Sequence, residues 1–194
     1  MFRSMVGGLR YLVHTRPDIA YCVGIVSRYM ERPTKIHLSA AKRIMRYVKG
    51  TIHFGLVYSA NSNNNVLNGF SDSDLGGQLD DRHSTAGMVF YLNESVITWV
   101  SQKQRCVALS SCEAEFMAAT TAACQAIWRR NVLNQITSES MGPLVLYIDN
   151  RSAIDLAKNP MFHGRSKHID VRYHFIRECV ERGEVTLRHV SSNE

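Results

Sequence analysis

Asp72, Glu115 and Asp149 are acids placed where apolar runs end or begin. Asp72 closes a run in Gly69-Phe70-Ser71-Asp72-Ser73-Asp74, Asp149 follows Leu144 to Ile148, and Glu115 opens an Ala-rich stretch. Ligands of open α/β sheets gather at the carboxyl ends of parallel strands. If the strands ending near Asp72 and Asp149 are parallel neighbours, the two acids meet at one edge and a helix supplies Glu115. Crowded carboxylates repel unless a hard divalent cation bridges them, and Mg²⁺ prefers such oxygen ligands. Two such ions activate water and stabilise the leaving oxygen of a phosphodiester. Turn and cap residues are the competing reading, because Asp is common wherever strands end. The residues alone leave both open.

The segment "SSCEAEFMAA" (110–119) carries two glutamates with different jobs. Ser110 followed three residues later by Glu113 matches a capping box, with the hydroxyl on the N3 amide and Glu113 reaching back to the cap amide. Glu113 and Glu115 project about 200° apart on a helix and cannot share one site. Glu115 shares its face with Ala118, Ala119 and Ala122, which let a helix approach a sheet closely. Glu113 is therefore the capping acid and Glu115 the site acid.

The elements that would position these acids follow from periodicity. Val66 to Asp72, Ala86 to Leu92 and Ser95 to Gln102 read as strands joined by short polar turns such as Leu92-Asn93-Glu94. A long helix is expected from Ser111 to Ile136, a buried strand from Leu144 to Ile148, and helices over Ser152 to Lys158 and Asp170 to Arg182. Gly183 stops the last of these, before a final strand from Glu184 to Val190. The order βββαβααβ is an α/β pattern, an antiparallel meander followed by crossovers. Ahead of it, Ile19 to Tyr29 and His37 to Val48 read as helices, and Phe54 to Tyr58 as a short strand. The polar run Ser59-Ala60-Asn61-Ser62-Asn63-Asn64-Asn65 is the best boundary, giving a helical, basic segment (1–58), a linker (59–65) and a second domain (66–194).

Charge is unevenly spread. Residues 1–58 hold ten Lys/Arg against Asp18 and Glu31, whereas residues 59–194 hold thirteen against fifteen acids. Lys42, Arg43, Arg46 and Lys49 fall on one side of the His37–Val48 helix, a surface that suits a polyanion such as nucleic acid or is simply a solvated face. Lys103 and Arg105, after the third strand, are reasonable backbone contacts. Arg165 and Lys167 lie in "HGRSKHIDVRYH" (163–174), where phosphate contact competes with a solvated loop and helix face. No Cys spacing there supports zinc. Trp99 and Trp128 read as core or sheet-face residues. Five scattered cysteines without a C-x-x-C pair suggest reduced thiols. No apolar run approaches a membrane span and no secretory leader is evident, so the expected setting is intracellular, cytoplasmic or nuclear.

Four motifs, "SDSDLGGQLDDRHSTAG" (71–87), "ITWVSQKQRCVALSSCEAEFMAA" (97–119), "LYIDNRSAIDLAKNP" (146–160) and "HGRSKHIDVRYHFIRE" (163–178), resemble the RNase H domain of copia-type LTR retrotransposon Pol polyproteins. "TRPDIAYCVGIVSRYMERP" (15–33) and "HLSAAKRIMRYVKGT" (37–51) resemble the tail of the reverse transcriptase upstream of it. The resemblance implies an RNase H-like mixed five-stranded sheet flanked by helices, behind a reverse-transcriptase C-terminal remnant. It implies hydrolysis of the RNA strand of an RNA–DNA hybrid by two Mg²⁺ (or Mn²⁺), with the rest of the Pol polyprotein as a further partner. On matching positions the catalytic and metal-binding acids are Asp72, Glu115 and Asp149, with Asp74 as an auxiliary acid. The family's fourth Asp lies past the last strand, whereas this sequence ends at Glu194. The expectation is thus a nuclease impaired at that position, the alternative being a non-catalytic nucleic-acid-binding remnant. No Tyr-x-Asp-Asp polymerase motif is present.

Overall fold

The computed structural model describes residues 1–58, 66–78, 80–158 and 167–191, without the side chains of residues 167–171 and 173. The chain divides into two compact units, Met1–Tyr58 and Ser59–Glu194. The proposed linker, 59–65, lies outside the described residues, as does Arg165; the side chain of Lys167 is likewise not described.

The first unit is helical: α1 (Phe2–Leu12), a 3₁₀ turn (Pro17–Ile19), α2 (Ala20–Ser27) and α3 (Lys35–Gly50). Helix α1 was not anticipated, because Gly7 and Gly8 weaken its propensity. Burial of Phe2, Val6 and Leu9 against Ile19, Val23, Val26, Ala41 and Ile44 supplies what propensity lacks. Pro17 begins the 3₁₀ turn, where a missing N–H is no loss. Buried Arg16 then ties the unit together. Its guanidinium grips Asp18 through two bonds of 2.9 and 2.7 Å, and reaches Thr51 O at 3.0 Å and Thr51 Oγ1 at 2.7 Å. Phe54–Tyr58 forms no strand, contrary to expectation. The unit offers only helices, so no strand edge is there to pair its backbone, and Phe54 instead lies under Arg16.

The second unit is a mixed five-stranded sheet in the order β3-β2-β1-β4-β5. Strands β1 (Leu67–Ser73), β2 (Thr85–Leu92) and β3 (Ser95–Lys103) form the antiparallel meander. Asn93 turns β2 into β3 at a φ of 57°, a conformation Asn tolerates, and its Oδ1 accepts from Val66 N–H at 2.9 Å. Helix α4 (Ser111–Thr137) then crosses the sheet, and β4 (Leu144–Ile148) pairs parallel with β1. Helices α5 (Arg151–Lys158) and α6 (Lys167–Glu181) lead to β5 (Val185–His189), parallel to β4. Gly183, at a φ of 66°, makes the turn between α6 and β5.

The core lies between the sheet and these helices, with Phe90, Phe116, Leu144, Leu146, Ile148 and Ile176 fully enclosed. Ala114, Ala118, Ala119, Ala122, Ala123 and Ala126 are all buried on α4, so the helix backbone comes close to the strands beneath it. Gly69 matters for the same reason. A Cβ there would stand 2.7 Å from the Phe90 ring, which occupies the space instead. Among the described residues, no helix is long and apolar enough to cross a membrane.

Candidate metal centre

The parallel pairing of β1 and β4 builds the site. Its register runs from Asn68 opposite Val145 to Ser71 opposite Ile148. Asp72 and Asp149 each stand one residue beyond that last pair, so both emerge at the same end of neighbouring strands. Glu115 arrives from the first turns of α4. Ligand atoms of Asp72, Glu115 and Asp149 lie within 4.8 Å of one another.

The three carboxylates differ in setting. Asp72 is exposed and Asp149 half-buried, but Glu115 is only 5% exposed. Glu115 Oε1 accepts the backbone N–H of Ser73 at 3.0 Å, whereas Oε2 is buried with no donor. Burial pushes the Glu115 carboxyl up to about 8; the Ser73 N–H opposes that rise, while the neighbouring Asp72 and Asp149 charges add to it. Such a setting favours the neutral form of the acid, and a nearby positive charge would favour the ionised one. An all-oxygen donor set with an orphaned buried oxygen fits a hard divalent cation.

Local structure explains how the side chains are held. Ser110 Oγ accepts from Glu113 N–H at 3.2 Å, and Glu113 Oε2 accepts from Leu109 N–H at 3.0 Å, one residue before the cap. Glu113 thus serves the helix start while Glu115 faces the cluster. Asn150 caps α5 by accepting Ala153 N–H at 3.0 Å, which fixes the turn immediately after Asp149. His189, at the end of β5, places Nε2 3.0 Å from the Asp149 carbonyl oxygen and spans the two strand ends.

The remaining predicted residues are placed elsewhere. Asp74 is not among the three acids that converge. Its Oδ1 accepts Thr85 N–H at 2.5 Å, and its other oxygen sits against Gly77, so it braces the β1–β2 turn. Lys103 pairs with Asp81, and Arg105 is exposed beyond β3. Lys42, Arg43, Arg46 and Lys49 are exposed along α3 in the first unit. Trp128, expected in the core or on the sheet, stands 60% exposed on α4. Sequence reading missed Ser73 and His189. Ser73 had a signal, since strand alternation buries it next to exposed Asp72; His189 acts through a backbone carbonyl, which leaves no motif.

Against known proteins, no protein-family model matches the chain. It is 44% identical over 194 residues to the retrovirus-related Pol polyprotein from transposon TNT 1-94 of Nicotiana tabacum, a match covering 100% of this chain and 14% of that protein. The chain is related over its whole length to a segment of the retrovirus-related Pol polyproteins of transposons. A second such polyprotein, from transposon RE1 of Arabidopsis thaliana, is 41% identical over 193 residues, covering 100% of this chain and 13% of that one. The chain thus spans a small part of the length of the relatives it matches.

Among solved structures, the foamy viral protease-reverse transcriptase dRH in complex with double-stranded DNA aligns with a TM-score of 0.60 at 11% identity, covering 98% of this chain and 32% of that one. The N-terminal RNase H domain of a Mycobacterium tuberculosis protein aligns at 0.49 with 8% identity, covering 68% of this chain and 86% of that one. The mixed five-stranded sheet flanked by helices is the architecture expected from the sequence.

Proposed function

We propose that the second unit is the RNase H-type nuclease segment of a transposon Pol polyprotein, hydrolysing the RNA strand of an RNA–DNA hybrid, and that residues 1–58 are the tail of its reverse transcriptase. The observation that carries this reading is the convergence of Asp72, Glu115 and Asp149 within 4.8 Å around a buried, unpartnered Glu115 oxygen. Mg²⁺ or Mn²⁺, when bound there, would activate water and stabilise the leaving oxygen of a phosphodiester.

The chain's own residues prepare that chemistry. Ser73 N–H holds one Glu115 oxygen and leaves the other aimed at the cluster. Glu115, neutral when alone, loses its proton as a cation binds, which couples cation uptake to proton release. Exposed Asp72 gives access from solvent, while the buried side of the cluster excludes it. Hybrid recognition rests on backbone and 2′-OH contacts with little sequence preference. Exposed Lys42, Arg43, Arg46, Lys49 and Arg105 are the described candidates for phosphate contact, and Lys103 joins them only by leaving Asp81.

The test is cleavage of a labelled RNA–DNA hybrid with Mg²⁺ and with Mn²⁺, wild type beside Asp149→Asn. Metal-dependent cleavage that falls at least a hundredfold in the variant is the expected result. A folded wild-type chain that retains the hybrid in either metal without cutting it would mark a nucleic-acid binder and remove the catalytic reading.

A further inference from the structure

Gln104 follows β3 and touches none of the three acids, yet its side chain joins the two backbone segments that carry two of them. Its Nε2 donates to Ser73 Oγ at 3.0 Å and to Ala114 O at 2.9 Å. Ser73 is the neighbour of Asp72 on β1, and Ala114 is the neighbour of Glu115 on α4. The orientation of the amide follows from its partners. Ser73 Oγ sits 3.3 Å from Thr85 O and 3.1 Å from Asp74 O, both acceptors for its proton, and the Ala114 carbonyl can only accept. Both contacts therefore demand the NH₂ end, and Gln104 Oε1 is left buried with no hydrogen-bond partner.

An unmet buried acceptor destabilises the fold that contains it. The site tolerates that cost because the two N–H groups cannot be replaced by an oxygen in the same place. The backbone of Gln104 is anchored as well: its N–H donates to Ser84 O at 2.8 Å, and its carbonyl lies 2.8 Å from His83 Nδ1. The amide is thus a fork on a fixed stem, with one tine on the strand of Asp72 and the other on the helix of Glu115.

We infer that Gln104 is a positioning residue that sets the spacing between Asp72 and Glu115, and with it cation affinity. This rests on the metal reading of the cluster. Removal of the fork lets the first turn of α4 drift from the end of β1 and widens the donor set, while the sheet and core remain.

The experiment uses the full chain and Mn²⁺ alone, with affinity measured by titration calorimetry and folding by thermal melting without metal. Gln104→Met keeps the side-chain length but has no N–H, and is expected to weaken Mn²⁺ binding on the order of tenfold. Ile154→Val, a core change on α5 that touches neither tine of the fork, controls for general loss of stability and is expected to leave Mn²⁺ affinity within about twofold. Should Gln104→Met not fold, Ser73→Ala removes one tine while keeping the Ser73 N–H on Glu115, and a several-fold loss is expected from it. Wild-type affinity in the folded variant, or an equal loss in Ile154→Val, overturns the inference about Gln104 and leaves the metal reading standing. A wild-type chain that takes up no Mn²⁺ overturns both.

Discussion

Ser73 donates its backbone N–H to one oxygen of Glu115 at 3.0 Å, and the other oxygen of that carboxylate is buried without a donor. One bond holds the acid in place; burial, with the Asp72 and Asp149 charges beside it, is what makes it costly to ionise. The centre is thus strained toward a cation before any cation is present.

Stability should report this strain directly. The Glu115 pKa is raised in the folded chain, from 4.5 to about 8, so between those values the folded state binds more protons than the unfolded one. Stability is then full below the unfolded pKa and is lost as pH rises through the folded one. The metal-free wild type should lose about 3–5 kcal/mol across that window relative to Glu115→Gln, whose side chain cannot ionise. Urea denaturation with chelator from pH 4 to pH 9 checks it. Parallel curves for the two proteins would contradict the prediction.

Cation binding should raise the melting temperature, because only the folded chain gathers the three carboxylates. At a cation concentration a hundred times Kd the gain is about 2.7 kcal/mol. Asp72 is exposed, so Asp72→Asn should change metal-free stability by less than about 0.5 kcal/mol yet abolish most of the cation-induced gain. Differential scanning calorimetry with and without Mg²⁺ separates the two effects.

Gly69→Ala should destabilise the second unit by about 2 kcal/mol, because the new methyl meets the Phe90 ring at 2.7 Å and Leu146 at 3.1 Å. Phe90→Leu alone leaves a cavity and is also destabilising. Combined, the two changes should cost less than their sum, and a double-mutant cycle in urea measures the difference.

Arg16→Leu should act on the first unit. It strands Asp18, whose carboxyl the Arg16 guanidinium holds below its usual range, and leaves Thr51 O without that donor. A loss of about 3 kcal/mol is expected. Hydrogen exchange read by mass spectrometry should show protection falling in α1, α2 and α3 while β1 to β5 are unchanged.

Much of the fold was legible because its signals are local. Leu144–Ile148 is an uninterrupted apolar run and forms a strand with those same ends, and the Ser110–Glu113 spacing marks the start of α4. Phe54–Tyr58 misled because alternation describes half of a strand and cannot supply its partner. Helix α1 was hidden by two glycines whose cost tertiary burial outweighs. At the centre, residue types named Asp72, Glu115 and Asp149, but their meeting depended on β1 and β4 being parallel neighbours, a fact of topology. Gln104 was invisible because its role consists of bonds to a hydroxyl and a carbonyl that no sequence pattern encodes.

The parallel pairing of β1 with β4 also has a kinetic side. Asp72 and Asp149 belong to strands separated by β2, β3 and α4, so the loop between them must close before their carboxylates can share an ion. An ion that can grip only the closed chain has nothing to hold during the search for that closure. It should therefore leave the rate of folding alone and slow the rate of escape, acting as a latch on a finished molecule.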